Sequence, residues 1–251
     1  MASSMRRHHF VLALAVFPAM GLAQGGPPLL TDDPATPGEG RYEINTAITA
    51  RYRQDSRGFE APLVDMNFGM GARGQLKFEL PVATEKRDGS SATTSVGSLL
   101  VGWKQRFHDQ DEALPADISV YPQVSSGPLS RSKALGFTQR EMRYLLPMEV
   151  AHIFDRFSVN AEVGYVLRAQ SPHATLYGVA IGWKASTGTE WLAERHRILS
   201  ADVLDQEDIV DLGLRRLIDP HRTLLMAVGA SPYRTTDSAK LNIYIGVQFT
   251  N

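Results

Sequence analysis

Three observations predict an all-β chain folded as a closed antiparallel up-and-down transmembrane β-barrel of about 12 strands. Apolar and polar residues alternate over long stretches, an export signal opens the sequence, and no long apolar run follows that signal. The clearest alternation is at the C-terminus. Leu241, Ile243, Ile245, Val247 and Phe249 share one face; Asn242, Tyr244, Gly246 and Gln248 share the other. Residues 157–168 repeat the theme, with Phe157, Val159, Ala161, Val163, Tyr165 and Leu167 set against Ser158, Asn160, Glu162, Gly164, Val166 and Arg168.

The N-terminal 23 residues read as a secretory signal peptide. Arg6 and Arg7 with His8 and His9 form the positive region, Phe10–Ala19 the short apolar core, and Gly21-Leu22-Ala23 the small-residue cleavage site. Residues 24–40 are rich in Pro, Gly and Asp and are expected to be an extended periplasmic lead-in. Asp32 and Asp33 within it suit turns, since no calcium-ligand spacing surrounds them. The barrel then occupies 41–251.

Composition narrows the function. The net charge of −1 gives no basic field for nucleic acid, and with no cysteine there are neither disulfides nor thiolate metal sites. Mean hydropathy is slightly negative and the mature region holds no run of about 18 apolar residues, which excludes a helical membrane protein on length grounds but not a barrel, in which only alternate residues meet lipid.

The alternating segments fall at 41–53, 59–70, 73–84, 96–107, 116–126, 141–153, 156–168, 174–185, 189–200, 207–217, 221–231 and 239–250. Each holds about 10 residues or more, the length a tilted strand needs to cross a bilayer. Soluble sandwich strands are nearer ~5–6 residues. Short links after the second, sixth, eighth and tenth strands alternate with longer polar ones after the third, fifth, ninth and eleventh. The segment HDQDEALPA after the fourth is longer than that rule prefers. An even strand count returns both ends to the periplasmic side. Tyr42, Phe68, Phe107, Phe157, Trp183, Trp191 and Phe249 then form a periplasmic aromatic girdle, and Tyr52, Tyr144, Tyr165 and Tyr177 an outer one.

Residues 28–45 (PLLTDDPATPGEGRYEIN) resemble the opening of a proteobacterial outer-membrane family named for the meta-pathway of phenol degradation. EAPLVDMNFGM, QLKFELPVA, SLLVGWKQRF, LLPMEV and NAEVGYV are similar to later stretches of that family, so the resemblance covers most of the mature chain. It implies a transporter-like barrel of Gram-negative bacteria, in some members linked to aromatic-compound metabolism, and brings no catalytic residues. Tyr42 stands where the family pattern has tryptophan, which keeps an aromatic at the interface.

Taking the less apolar face as inward places Glu43, Asp65, Glu79, Asp117, Glu149, Glu162, Glu194 and Asp211 in the lumen with Arg51, Lys77, Lys104, Arg106, Arg143, Arg168, Lys184 and Arg215. Eight acids against eight bases predict no ion selectivity, and their mutual pairing would narrow or close the passage. Inward glycines suit crowding inside a barrel. The sequence therefore leads to an outer-membrane protein acting as a narrow passive channel or uptake porin for small solutes, aromatic ones among them. Its expected partners are outer-membrane lipid and lipopolysaccharide, the barrel-assembly machinery and a small-molecule solute, with no nucleic acid, metal or cofactor. Two alternatives stay open. One is a non-conducting structural or surface-interaction barrel. The other is a lipid or ester hydrolase, for which His196 as base, Glu194 as its orienting acid and Ser200 are the best local candidates. The barrel expectation predicts that detergent-refolded protein migrates differently on gels before and after heating; recovery as a soluble periplasmic monomer would refute it.

Overall fold

A computed structural model describes residues 26–134, 141–201, 206–233 and 239–251. The expected signal peptide, residues 1–23 with cleavage after Ala23, lies outside these residues, as do Gln24 and Gly25. The strand segments are β1 (Tyr42–Tyr52), β2 (Ser56–Met70), β3 (Gly74–Arg87), β4 (Thr93–Val96), β5 (Leu99–His108), β6 (Asp117–Val120) and β7 (Gln123–Ser126). After a short helix, α1 (Ser130–Ala134), come β8 (Arg143–Phe154), β9 (Phe157–Arg168), β10 (Ala174–Ser186), β11 (Thr189–Ser200), β12 (Glu207–Asp219), β13 (Arg222–Ala230) and β14 (Leu241–Thr250).

All pairings are antiparallel, and β14 returns to pair with β1 from Glu43–Thr250 to Tyr52–Leu241, which closes the sheet. Two walls are each made of two segments. β4 and β5 are interrupted at Gly97-Ser98, where the Gly97 N–H donates to the Pro81 carbonyl at 2.8 Å. β6 and β7 are interrupted at Tyr121-Pro122, where proline has no N–H to give to a ladder. The fourteen segments therefore build a closed twelve-stranded barrel. Closure is what permits these strands to meet lipid, because no sheet edge is left with unpaired backbone groups.

Side chains alternate as the period of two requires. In β9, Ser158, Asn160, Glu162, Gly164, Val166 and Arg168 are buried while Phe157, Val159, Ala161, Val163 and Tyr165 are exposed. The exposed belt is apolar, including Ile48, Leu80, Leu146, Val179, Ile181, Leu212 and Ile245. Phe107, Phe157, Trp183, Trp191 and Phe249 stand exposed toward the end carrying the C-terminus, and Tyr144, Tyr165 and Tyr177 toward the opposite, loop end. Phe154 joins the first ring, stacked on Phe157 at 5.9 Å.

Tight turns close the terminal end. Asp155 takes a left-handed φ of 54° between β8 and β9, a conformation Asp tolerates, and Gly71 takes 66° between β2 and β3. The longer link at 109–116 is pinned down. Arg73 holds Asp109 at 2.7 Å and also Glu112, and Gln110 Oε1 accepts the Ile153 N–H at 2.8 Å. Those anchors explain how a long segment sits at the short-turn end.

The structure departs from the simple alternating-strand pattern at three places. β2 begins at Ser56 and β3 ends at Arg87, so this hairpin runs further than 59–70 and 73–84. β2 also carries a bulge at Ala61-Pro62, with a register shift between Glu60 and Leu63. One strand phase is lost there, so Glu60 pairs with inward Thr49 and its carboxylate accepts that hydroxyl at 2.8 Å. Finally, the charges are not confined to the inward face: Arg195, Arg197 and Asp208 lie on the outward face of β11 and β12. The apolar belt yields a direct test. Leu212, 61 % exposed midway along β12, should tolerate Met but lose about 2–4 kcal/mol of folding stability on Leu212→Arg, measured by denaturant titration in lipid vesicles.

Candidate functional site

The barrel interior is the candidate site, and its centre is occupied by the chain itself. Residues 26–40 do not trail outside as a periplasmic lead-in; they fold into the lumen and cross it. Their composition bears on this: a Pro- and Gly-rich stretch forms no regular ladder and makes only turn hydrogen bonds of its own, such as Gly26 N–H to the Thr31 carbonyl at 2.7 Å, and the inward charges of the walls supply further partners. At the β12 wall, the Arg215 guanidinium donates to the Pro27 carbonyl at 2.8 Å and the Gly26 carbonyl at 3.2 Å. The same side chain faces Glu190 at 3.5 Å. From β11, Glu194 accepts the Leu30 N–H at 2.7 Å and the Thr31 N–H at 2.8 Å, one on each carboxylate oxygen. Glu162 of β9 accepts the Asp32 N–H at 3.1 Å.

On the far side of the lumen, Lys104 of β5 completes the crossing. Its ammonium meets Asp32 at 2.9 Å and Glu149 at 3.3 Å, donates to the Asp33 carbonyl, and lies 4.6 Å from the centre of the Tyr121 ring. Ser119 donates to the same Glu149 oxygen at 2.5 Å. Burial pushes the Asp32 carboxyl up, but Lys104 and Lys77 outweigh it and hold the group below its ordinary value. A carboxyl so depressed contributes stability above its unfolded pKa and loses it as pH falls through the folded one.

The walls make room for the segment. A side chain at Gly178 would strike Thr31, one at Gly69 would strike the backbone of Gly38, and one at Gly213 would come within 3.2 Å of Leu29. Leu29 packs instead with Ala180 and Leu192 as a small buried apolar cluster. These three inward glycines thus answer to the inserted segment, whereas Gly102, Gly164 and Gly182 answer to side chains of the walls themselves.

Above the segment, toward the loop end, a cavity of about 800 Å³ remains. Its floor includes Gly26–Leu30 and Asp32, and its rim includes Arg87, Ser90 and Ser91. Arg51, Lys77, Glu79 and Asp211 line it, with Leu63, Ala227 and Tyr244 adding apolar surface. Helix α1 leans toward the mouth, where Ser132 shares a 2.8 Å hydrogen bond with Ser95 of β4.

All sixteen expected lumen residues lie on the inward strand phase, but they divide into groups. Four of them, Arg51, Lys77, Glu79 and Asp211, line the open cavity. Lys104, Glu149, Glu162, Glu194 and Arg215 belong to the anchorage of the segment, directly or through Lys104. Asp65 pairs with Lys77 at 3.4 Å, and Glu43 accepts from Asn45 at 3.1 Å. Arg106 pairs with Asp109 at 2.9 Å and Asp117 accepts the Gln110 N–H at 2.8 Å, both serving the terminal-end link. Arg143 and Arg168 face each other across β8 and β9 near the loop end, and Lys184 lies half-buried near the opposite end. Asp32, Glu60, Glu85 and Arg87 also line the cavity and escaped the sequence reading. Pro62 inside a strand was the available signal for Glu60, because it marks a bulge.

The hydrolase candidates do not converge. Glu194 gives both oxygens to backbone N–H groups, and Ser200 sits four residues beyond His196 on one strand, about 13 Å at ~3.3 Å per residue.

No family model matches the chain, and no curated protein matches it in sequence. Solved structures do match in fold. The KdgM porin is 12% identical over 82% of this chain and 98% of its own, with a TM-score of 0.53. The NanC porin is 7% identical over the same shares, with a TM-score of 0.56. The β domain of the Bordetella autotransporter BrkA is 10% identical over 85% of this chain and all of its own, with a TM-score of 0.53. The class defined is therefore the fold of outer-membrane β-barrels, porins among them.

The anchorage predicts a local effect. Glu194→Ala leaves the buried Thr31 N–H without its acceptor, a cost of about 1–3 kcal/mol, and releases the part-buried Leu30 N–H at a smaller one. Hydrogen exchange at Leu30 and Thr31 should accelerate strongly while exchange in β9 and β10 stays slow; equal acceleration throughout would contradict a local anchor.

Proposed function

We propose that this protein resides in a bacterial outer membrane, exported by its signal peptide, and acts as a narrow passive channel for small solutes, aromatic ones included. The observation that carries the reading is the mixed cavity above the inserted segment, open toward the loop end and floored by Gly26–Leu30 and Asp32. Cations from Arg51 and Arg87, carboxylates from Glu79 and Asp211 and the Tyr244 ring offer partners to a small amphipathic solute. The fold shared with the KdgM and NanC porins supports a conducting role. The resemblance of PLLTDDPATPGEGRYEIN to the family named for phenol degradation supports the choice of solute class.

In this reading the loop end faces outward and the barrel is assembled by the usual barrel-insertion machinery. The inserted segment narrows the passage at mid-height, so the resting conductance is small. Deleting residues 26–38 removes the floor while leaving every strand intact. The deletion variant should fold, as judged by heat-modifiable migration, and conduct several-fold more than the full-length barrel in planar bilayers. A folded deletion variant that stays electrically silent would sink the channel.

A further inference from the structure

The outward charges at the loop end of β11 and β12, Arg195, Arg197 and Asp208, have no part in the lumen, and they form one connected group. Arg195 meets both oxygens of Asp208 as a fork, Nε to Oδ1 at 3.1 Å and Nη2 to Oδ2 at 2.9 Å. Arg197 Nε lies 3.4 Å from the same Oδ2, and Arg195 Nη2 is 3.4 Å from the Tyr233 hydroxyl. Two guanidiniums share one carboxylate, so the trio carries a net positive charge. The carboxylate is covered, its side chain 8 % exposed, whereas Arg195 and Arg197 keep 52 % and 44 % of theirs open to the surroundings.

Position matters as much as charge. Asp208 is the second residue of β12 at the loop end, and Arg197 is paired on its two sides with Tyr177 and Asp208. Tyr177 belongs to the aromatic ring at that end, the level of a headgroup region. Arg195 lies one pleat further in, between the exposed Val179 and Val210, with Ile181 and Leu212 continuing the apolar strip below. A cation here is costly in bare hydrocarbon, and Asp208 offsets one of the two. The second is met by whatever anion the surrounding leaflet presents. Guanidiniums recognise phosphate through paired N–H donors, and the strip beneath accepts an acyl chain.

We infer that Arg195, Arg197 and Tyr233 form a binding site for a phosphate-bearing anionic lipid of the loop-end leaflet, its phosphate on the guanidiniums and its chains on Val179, Val210 and Leu212. This rests on the membrane placement proposed above. The apolar strip selects a lipid over free phosphate, which would meet only the arginines.

The experiment uses full-length protein in detergent, mixed with bisphosphorylated lipid A or with the same lipid after enzymatic dephosphorylation, and reads bound lipid by native mass spectrometry. Wild-type protein should retain the phosphorylated lipid about tenfold better than the dephosphorylated one. The double variant Arg195→Gln, Arg197→Gln should lose that preference while keeping its heat-modifiable migration. Equal retention of both lipids by wild type, or an undiminished preference in the folded variant, would overturn the site. So would full displacement of the lipid by equimolar inorganic phosphate, which would mean that the acyl chains contribute nothing. Wild-type protein with no heat-shifted migration would instead remove the membrane placement, a separate failure.

Discussion

A sheet that faces hydrocarbon has nowhere to leave an unpaired backbone group, and the pairing of β1 with β14 meets that demand here. Much else follows from this seam. Once twelve strands close on themselves, the interior is wide enough to need filling and every second side chain points into it. The polar residues that lipid would reject gather there, and the charges among them must then find partners away from bulk water.

The inserted segment answers that second demand in a particular way. Its backbone forms no regular ladder, and the wall charges complement its turns: Glu194 and Glu162 take the N–H groups of Leu30, Thr31 and Asp32, and Arg215 takes the carbonyls of Gly26 and Pro27. Lys104 and Arg215 stand on opposite walls, so the segment is braced across the barrel. The closed hole that wall-to-wall pairing of acids and bases would produce is replaced by a partition. The acids and bases hold a third element, and the space above it stays open at the loop end.

Strand phase was legible in the sequence because it is a local property: a residue's face follows from its neighbour's, and lipid enforces the contrast over every turn of the barrel. The inward placement of Lys104, Glu149, Glu162 and Arg215 could be read this way. What they hold could not, since Glu194 and Leu30 are 164 residues apart and share no pattern. Phase reading also failed where its premise failed, at Pro62, where the bulge turns Glu60 inward. Among the described residues 26–40, Pro, Gly and Asp go with the absence of a regular element, but composition does not say where an irregular chain lies. The pairing of Arg195 with Asp208 on the lipid side was hidden for a similar reason, as alternation places each of them outward without showing that they meet.

The segment's position along the chain has a consequence for assembly. Residues 26–40 directly precede β1, and β1 is one lip of the seam. Its partner β14 is the strand furthest from it in sequence, so this junction carries the largest loop-closure entropy of any pair and is disfavoured until the intervening hairpins have formed. The polypeptide that will fill the barrel is therefore tethered beside the last gap to shut, present while the wall is still an open trough. It can be laid in sideways, and the strands can wrap around it as around a mandrel, with no need to thread a finished cylinder.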